Sequence, residues 1–327
     1  MNSLLNKCML TASMVSIPIY TGYLGVLFKF RNKKPFSSEF FRLCFWWGLV
    51  DILGLSNSWL WYKFPQYGWL GMPSVVRFSP EIWAKMAHLT AWFCGTSASH
   101  FVVAVAFNRL TRIAFPLQHE LIWTRNFVRA SFIVIFGVAA AIAVPMASPG
   151  LTYLIDNRTG AVGPIVYFDR NFRIFTYSVG TLHSITCSVI SLSMYVLLLI
   201  GAQRHKTAPS GEGSDTTQAR RLERKMAVFG LMMCLNMSLI SLYLALMATT
   251  NDRSKMLLYL RLRAVSLDIF YWLNPYLALV LGDTVRKHYK AFLLGRTVDQ
   301  TQMVHVQPAL TTGSQPKLQP KPALVRA

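Results

Sequence analysis

A chain of 327 residues in which 53% are hydrophobic and only 14% charged, with a mean hydropathy of +0.37, is too apolar for an ordinary soluble domain. The net charge of +20 raises nucleic-acid binding as a reading, but the basic residues are spread over four short segments with no RNA-binding or zinc-finger pattern beside them. What remains is a polytopic membrane protein with no cofactor motif.

Seven apolar runs follow one another at 8–28, 40–61, 81–107, 127–147, 173–201, 226–249 and 257–282. Each has about the 20 residues that a helix rising ~1.5 Å per residue needs to cross roughly 30 Å of hydrocarbon. The runs lack the two-residue alternation of barrel strands, so an all-α, seven-transmembrane helix bundle is expected. Segments 29–39, 108–126, 202–225 and 283–327 hold 20 Lys and Arg, against 7 in 1–7, 62–80, 148–172 and 250–256. Positive residues collect on the cytoplasmic side, so the N-terminus is expected outside and the C-terminus in the cytoplasm. The basic inner face also suits anionic membrane lipid.

The first run is longer than a signal-peptide core and its basic cluster Lys29, Arg31, Lys33 and Lys34 follows it, so it is expected to be a retained helix. In the second run Asp51 is a costly intramembrane carboxylate. The third run ends in Asn108-Arg109, with Pro116-Leu117 seven and eight residues after Arg109. Taken alone, an arginine there either snorkels to lipid phosphate or works as a switch. Asn157-Arg158-Thr159, in the outer loop 148–172, is a glycosylation acceptor, whereas Asn236-Met237-Ser238 lies within the sixth run and is expected to be inaccessible. All five cysteines fall in apolar runs, where they act as small hydrophobes.

Residues 207–217 and the tail from Val298 onward read as disordered, giving a membrane domain over 1–294 and a cytoplasmic tail over 295–327. Arg261, Arg263 and Asp268 interrupt the seventh run, which also carries Asn274-Pro275-Tyr276. Pro275 frees a backbone carbonyl, and Asn274 can bridge to Asp51, as a static clamp or as one arm of a switch. A short basic amphipathic helix is expected over 283–294.

Arginine closing the third helix before Pro-Leu, with Asp51 and Asn274-Pro275, resembles the rhodopsin-like G-protein-coupled receptors. The string from Asn108 to Trp123 is most similar to the nematode serpentine chemoreceptors of the Srg superfamily, in the Srv or Srg branch. Departures are plain: Asn rather than an acid precedes Arg109, no Cys opens the third run, and the sixth has no Pro.

The resemblance implies a chemosensory receptor in the plasma membrane of sensory cells that binds a small extracellular ligand and signals to a heterotrimeric G protein. By it, Arg109, Arg112 and the cluster Arg220, Arg221, Arg224 and Lys225 face the G protein, the cluster being read otherwise as a topology anchor. His88, Trp92, Gly95, Thr96 and Ser99 on one face of helix three, with Asp268 on helix seven, would line the ligand pocket. Asp268 needs a partner, supplied by a cationic ligand or by Lys85, Arg263 or His88. A ligand-gated channel or transporter is the other binding class considered, and a zinc-dependent intramembrane hydrolase using His88, His100 and His183 the enzyme class. Neither a His-Glu-x-x-His motif nor a nucleophile elbow is present, so no enzyme is expected.

Overall fold

A computed structural model describes residues 2–33, 36–69, 71–147, 150–156, 161–167, 169–204 and 214–295, with side chains at all of these except 2–7, 202–204, 214–224, 226, 253 and 281. In chain order the elements are α1 (Asn2–Lys29), α2 (Glu39–Asn57) continued by a π-turn (Ser58–Lys63), α3 (Phe64–Tyr67), α4 (Met72–Phe78), α5 (Pro80–Ala114) and α6 (Pro116–Ile122). Then come α7 (Arg125–Met146), β1 (Leu151–Ile155), β2 (Val162–Tyr167), α8 (Arg170–Arg204), α9 (Ser214–Thr249), α10 (Arg253–Leu281) and α11 (Asp283–Leu293).

Among the described residues, five helices are long and apolar enough to cross a membrane: Cys8–Lys29, Pro80–Ala114, Arg125–Met146, Arg170–Gly201 and Ala227–Thr249. A sixth candidate is α10 together with α11, which turns away from it by 95°. The second long helix, α2, is diluted by Glu39, Arg42 and Asp51 and packs within the bundle. Helix starts follow ordinary capping chemistry: Thr124 accepts from the Phe127 amide at 3.2 Å, Asp169 from Asn171 at 2.8 Å and Asp252 from Ser254 at 2.8 Å. The outward faces are apolar, with Ile133, Val144, Leu182 and Val189 exposed, as a lipid-facing surface requires.

Among the described residues, one hairpin departs from the all-helical expectation. The loop after α7 folds into an antiparallel hairpin, with Leu151 opposite Tyr167 and a register shift between Tyr153 and Ile155. The hairpin is pinned to the bundle by Tyr153, whose hydroxyl donates to the Trp61 carbonyl at 2.5 Å, and by Tyr167, which donates to the Met146 carbonyl at 3.1 Å. Burial raises both phenols above the ordinary tyrosine pKa, so they remain proton donors across the physiological range.

The segment 207–217, expected to be disordered, is helical from Ser214 onward, as the first turn of α9. Residues 205–213 and 296–327, like the acceptor Asn157, lie outside the described residues. Asn236 is buried and its amide donates to the Ser266 carbonyl at 3.0 Å, tying α9 to α10. All five cysteines are free.

At the Arg109 end of the bundle, α11 seats His288 edge-on against Phe30 and Phe36, both with ring centroids at 4.8 Å. Its outer aromatics rest on α1 where Gly22 and Gly25 leave room: a Cβ would stand 2.9 Å from Tyr289 and 3.0 Å from Phe292.

Candidate functional site

Three layers of polar chemistry run down the bundle. The first lies under the hairpin. His88 on α5 accepts at Nε2 from the Trp92 indole N–H at 2.6 Å, and Tyr167 Oη sits 2.5 Å from the same nitrogen. That leaves Nδ1 as the protonated nitrogen of the neutral ring, 3.3 Å from Tyr62 Oη.

Asp268 on α10 is fully buried. It accepts from Ser58 at 3.0 Å and forms an ion pair with Lys63. Ser58 and Lys63 are one π-turn apart and so share a side of the helix, which an α-helical spacing of five would deny them. The Lys63 ammonium also lies over the Trp59 ring, 4.0 Å from its centroid. None of Lys85, Arg263 and His88, the partners expected from sequence, fills this role.

The second layer is a cavity of about 40 Å³ among α5, α8, α9 and α10. Trp92, Gly95, Thr96 and Ser99 line it, and the sequence had placed them on one face. His88 and Asp268 are not in the lining: the first is engaged by Trp92 and the hairpin, the second by Lys63 and Ser58. The remaining walls come from residues that were not singled out, among them His183, Met237, Ile240, Leu244, Leu267 and Phe270, together with Arg263. Arg263, Leu267 and Phe270 stand at i, i+4 and i+7 on α10, a helical spacing that the sequence carries although Arg263 interrupts the apolar run. The Arg263 guanidinium lies 5.9 Å from the Trp92 ring centroid, and its Nε has no hydrogen-bond partner among the described residues.

Below the cavity, Asp51 accepts from the Tyr20 hydroxyl and, at 3.3 Å, from the Asn274 amide, which also donates to Tyr20 Oη at 3.1 Å. Asn274 precedes Pro275 inside α10, so this buried triad joins α1, α2 and the proline-weakened turn of α10. Tyr276 reaches Ser16 on α1 at 3.0 Å. Tyr20 was the unanticipated member; a phenol in an apolar run reads as packing.

The third layer is the Arg109 floor. Arg109 is buried and its guanidinium stacks 3.7 Å above the Phe40 ring at the start of α2. Asn108 is buried too, and its Nδ2 has no partner among the described residues. Pro116 and Leu117 open α6, with Leu117 91% exposed and Arg112 exposed beside them.

A small network docks α6 against α5: the Trp123 indole donates to Thr111 Oγ1 at 2.9 Å, and His119 Nδ1 lies 3.1 Å from the same oxygen. His119 is held below the usual imidazole pKa, first by burial and then by the charge of Arg112, with Glu120 opposing and Arg109 adding a further push down. Arg220, Arg221 and Arg224 lie on α9 with their side chains outside the described residues, and Lys225 is half-buried.

With that geometry in place, comparison with known proteins gives a family. A model described as serpentine type 7TM GPCR chemoreceptor Srv matches residues 9–293. The chain belongs to the Srv family. It is also similar to Serpentine receptor class V-1 of Caenorhabditis elegans, 25% identical over 194 residues that make up 59% of this chain. The alignment spans 62% of that relative's length, less than two thirds of it. Of the two branches that residues 108–123 suggested, the match selects Srv. The Srv family is one of seven-transmembrane, multi-pass membrane receptors and not an enzyme family. The three histidines of the hydrolase reading do not converge either, because His88 is committed to Trp92, while His100 and His183 pair elsewhere with ring centroids 4.9 Å apart.

Proposed function

We propose that this Srv-family chain is a chemosensory receptor that takes a small extracellular molecule into the cavity among α5, α8, α9 and α10 and passes the signal to a heterotrimeric G protein at the Arg109 floor. The N-terminus and the hairpin then face outward, and α6, α11 and the tail face the cytoplasm of a sensory cell. The asymmetry of 20 Lys and Arg against 7 supports that orientation. Arg112, Leu117 and the α9 cluster are the partner-facing groups, and the exposure of Arg112 and Leu117 supports this.

The observation that carries the ligand half is the cavity lining. Among the described residues it contains one cation, Arg263, and no carboxylate, Asp268 being paired with Lys63 outside it. Such a pocket favours a carboxylate or another hydrogen-bond acceptor over an amine. In place of a cationic ligand at Asp268, this lining favours an anion or acceptor at Arg263.

A volume of about 40 Å³ holds roughly three waters, far below the ~300 Å³ of a pocket that encloses a drug-sized ligand. A ligand must therefore bind an arrangement in which these helices stand further apart. Because it prefers that arrangement, it shifts the population toward it and loosens the Tyr20–Asp51–Asn274 triad and the Arg109 stack beneath. The test is a screen of small volatile acids, alcohols and amines on cells expressing the receptor with a G-protein reporter. Acids should activate, and Arg263→Gln should remove the acid response while surface display persists. Activation by amines alone would refute the ligand assignment.

A further inference from the structure

Among the described residues, one group of three side chains carries ligand chemistry that the receptor reading leaves unused. His100 on α5 and His183 and Cys187 on α8 bring one ligand atom each within 4.8 Å of one another. His183 and Cys187 are four residues apart on one helical face, with Nε2 and Sγ separated by 3.6 Å. Two ligands bound at about 2.0 and 2.3 Å to one ion, at the tetrahedral angle, stand about 3.5 Å apart, so this pair already has close to a chelating separation.

His100 faces them from the neighbouring helix, and its Nδ1 is 2.8 Å from the Thr96 carbonyl. A carbonyl can only accept, so Nδ1 carries the proton and Nε2 keeps its lone pair. This backbone contact is the outer-shell bond that orients histidine ligands in metal sites. Cys187 is buried and both histidines are half-buried, so water competes weakly for the ion.

We propose that His100, His183 and Cys187 form a site for a soft transition-metal ion, Cu(I) in preference to Zn(II), that ties α5 to α8 beside the cavity. Two imidazoles and a thiolate are the donor set that such ions select over Mg²⁺ or Ca²⁺. Charge decides between the two candidates. Binding releases one proton from the Cys187 thiol to solvent, and the complex with two neutral imidazoles is then uncharged for Cu(I) and carries +1 for Zn(II). An unneutralised charge among apolar helices is costly, so the monovalent ion is favoured. His183 also lines the cavity, which places the ion next to any occupant.

The test uses the full chain in lipid nanodiscs, titrated without oxygen with Cu(I) and, separately, Zn(II), each delivered from a competing chelator. The expected result is one Cu(I) per receptor, bound more tightly than Zn(II), with affinity reduced about tenfold or more in Cys187→Ser and in His183→Ala. Cys8→Ser, at an exposed thiol on α1, should bind as the unmodified chain does. X-ray absorption on the unmodified, copper-loaded receptor needs no variant and should show one sulfur and two nitrogen neighbours. Loading well below one equivalent, equal affinity in Cys187→Ser, or a copper shell without sulfur would each overturn the site. Tighter binding of Zn(II) would overturn the choice of ion.

Discussion

Removing the carboxylate of Asp268 leaves Lys63 charged and without its partner in a place with little water. The Asp268 side chain is 0% exposed and that of Lys63 11%, so solvent cannot replace the lost partner. Breaking a buried ion pair from one side costs about 3–5 kcal/mol, whereas replacing both partners by apolar groups of similar size is often neutral or stabilising. Asp268→Asn keeps an acceptor for Ser58, so the lower end of that range, about 3 kcal/mol, is the appropriate magnitude. At 2–4 °C per kcal/mol, as for soluble domains of 150–250 residues, the expected loss is roughly 6–12 °C in thermal midpoint.

Lys63→Met should cost a similar amount, because it strands the carboxylate. The double variant Asp268→Asn/Lys63→Met should recover most of the loss, the non-additivity that marks a direct pair. The assay is the temperature at which half of the detergent-solubilised receptor remains monodisperse, measured for all four members of the cycle. Losses that simply add in the double variant, or single variants within about 1 °C of the unmodified chain, would refute the claim that this pair holds the π-turn to α10.

Phe40→Leu keeps bulk but removes the ring under Arg109; with a cation–π contact worth about 0.5–2 kcal/mol, ligand-independent nucleotide exchange by the G protein should rise roughly 2–30-fold, and unchanged basal exchange would contradict the restraint. At Gly180 a Cβ would stand 2.4 Å from the Trp92 ring, so Gly180→Ala should push the indole toward the cavity and raise the half-effective ligand concentration about tenfold or more at equal surface display. The His119 dock depends on pH in a fixed direction. Its folded pKa lies below the unfolded 6.5, so the dock is at full strength above about pH 6.5 and weakens as pH falls below that value. Hydrogen exchange across 115–124, corrected for the intrinsic rate, should therefore show less protection at pH 5 than at pH 7.5, and equal protection would count against it.

The long helices were legible because hydrocarbon permits few alternatives: a continuous apolar run of about 20 residues must close its own backbone hydrogen bonds. Arg109 and Asn274-Pro275 stood out for the same reason, being polar or helix-breaking groups where neither is cheap. The sequence was silent where one partner is distant or the backbone changes pitch. Lys63 falls just past an apolar run and reads as loop, until the π-turn swings it beside Ser58 toward Asp268, 205 residues away in the chain. The hairpin was hidden because its strands are five and six residues long and β2 contains Gly163-Pro164, which argue against a strand. Within the third run, spacing identified the face bearing Trp92, Gly95, Thr96 and Ser99. It could not show that His88, on the same face, is held by the Trp92 indole and packs edge-on against Tyr167 of the hairpin.

The most direct test is nucleotide exchange on a purified heterotrimeric G protein, driven by the full chain in nanodiscs with an activating acid from the screen. Ligand should stimulate exchange, with the stimulation lost in Arg109→Ala and, for the acid, in Arg263→Gln, and the same preparation fused to a planar bilayer should pass no current. Failure to stimulate exchange by any ligand that binds the cavity, together with ligand-gated current across that bilayer, would contradict the receptor reading.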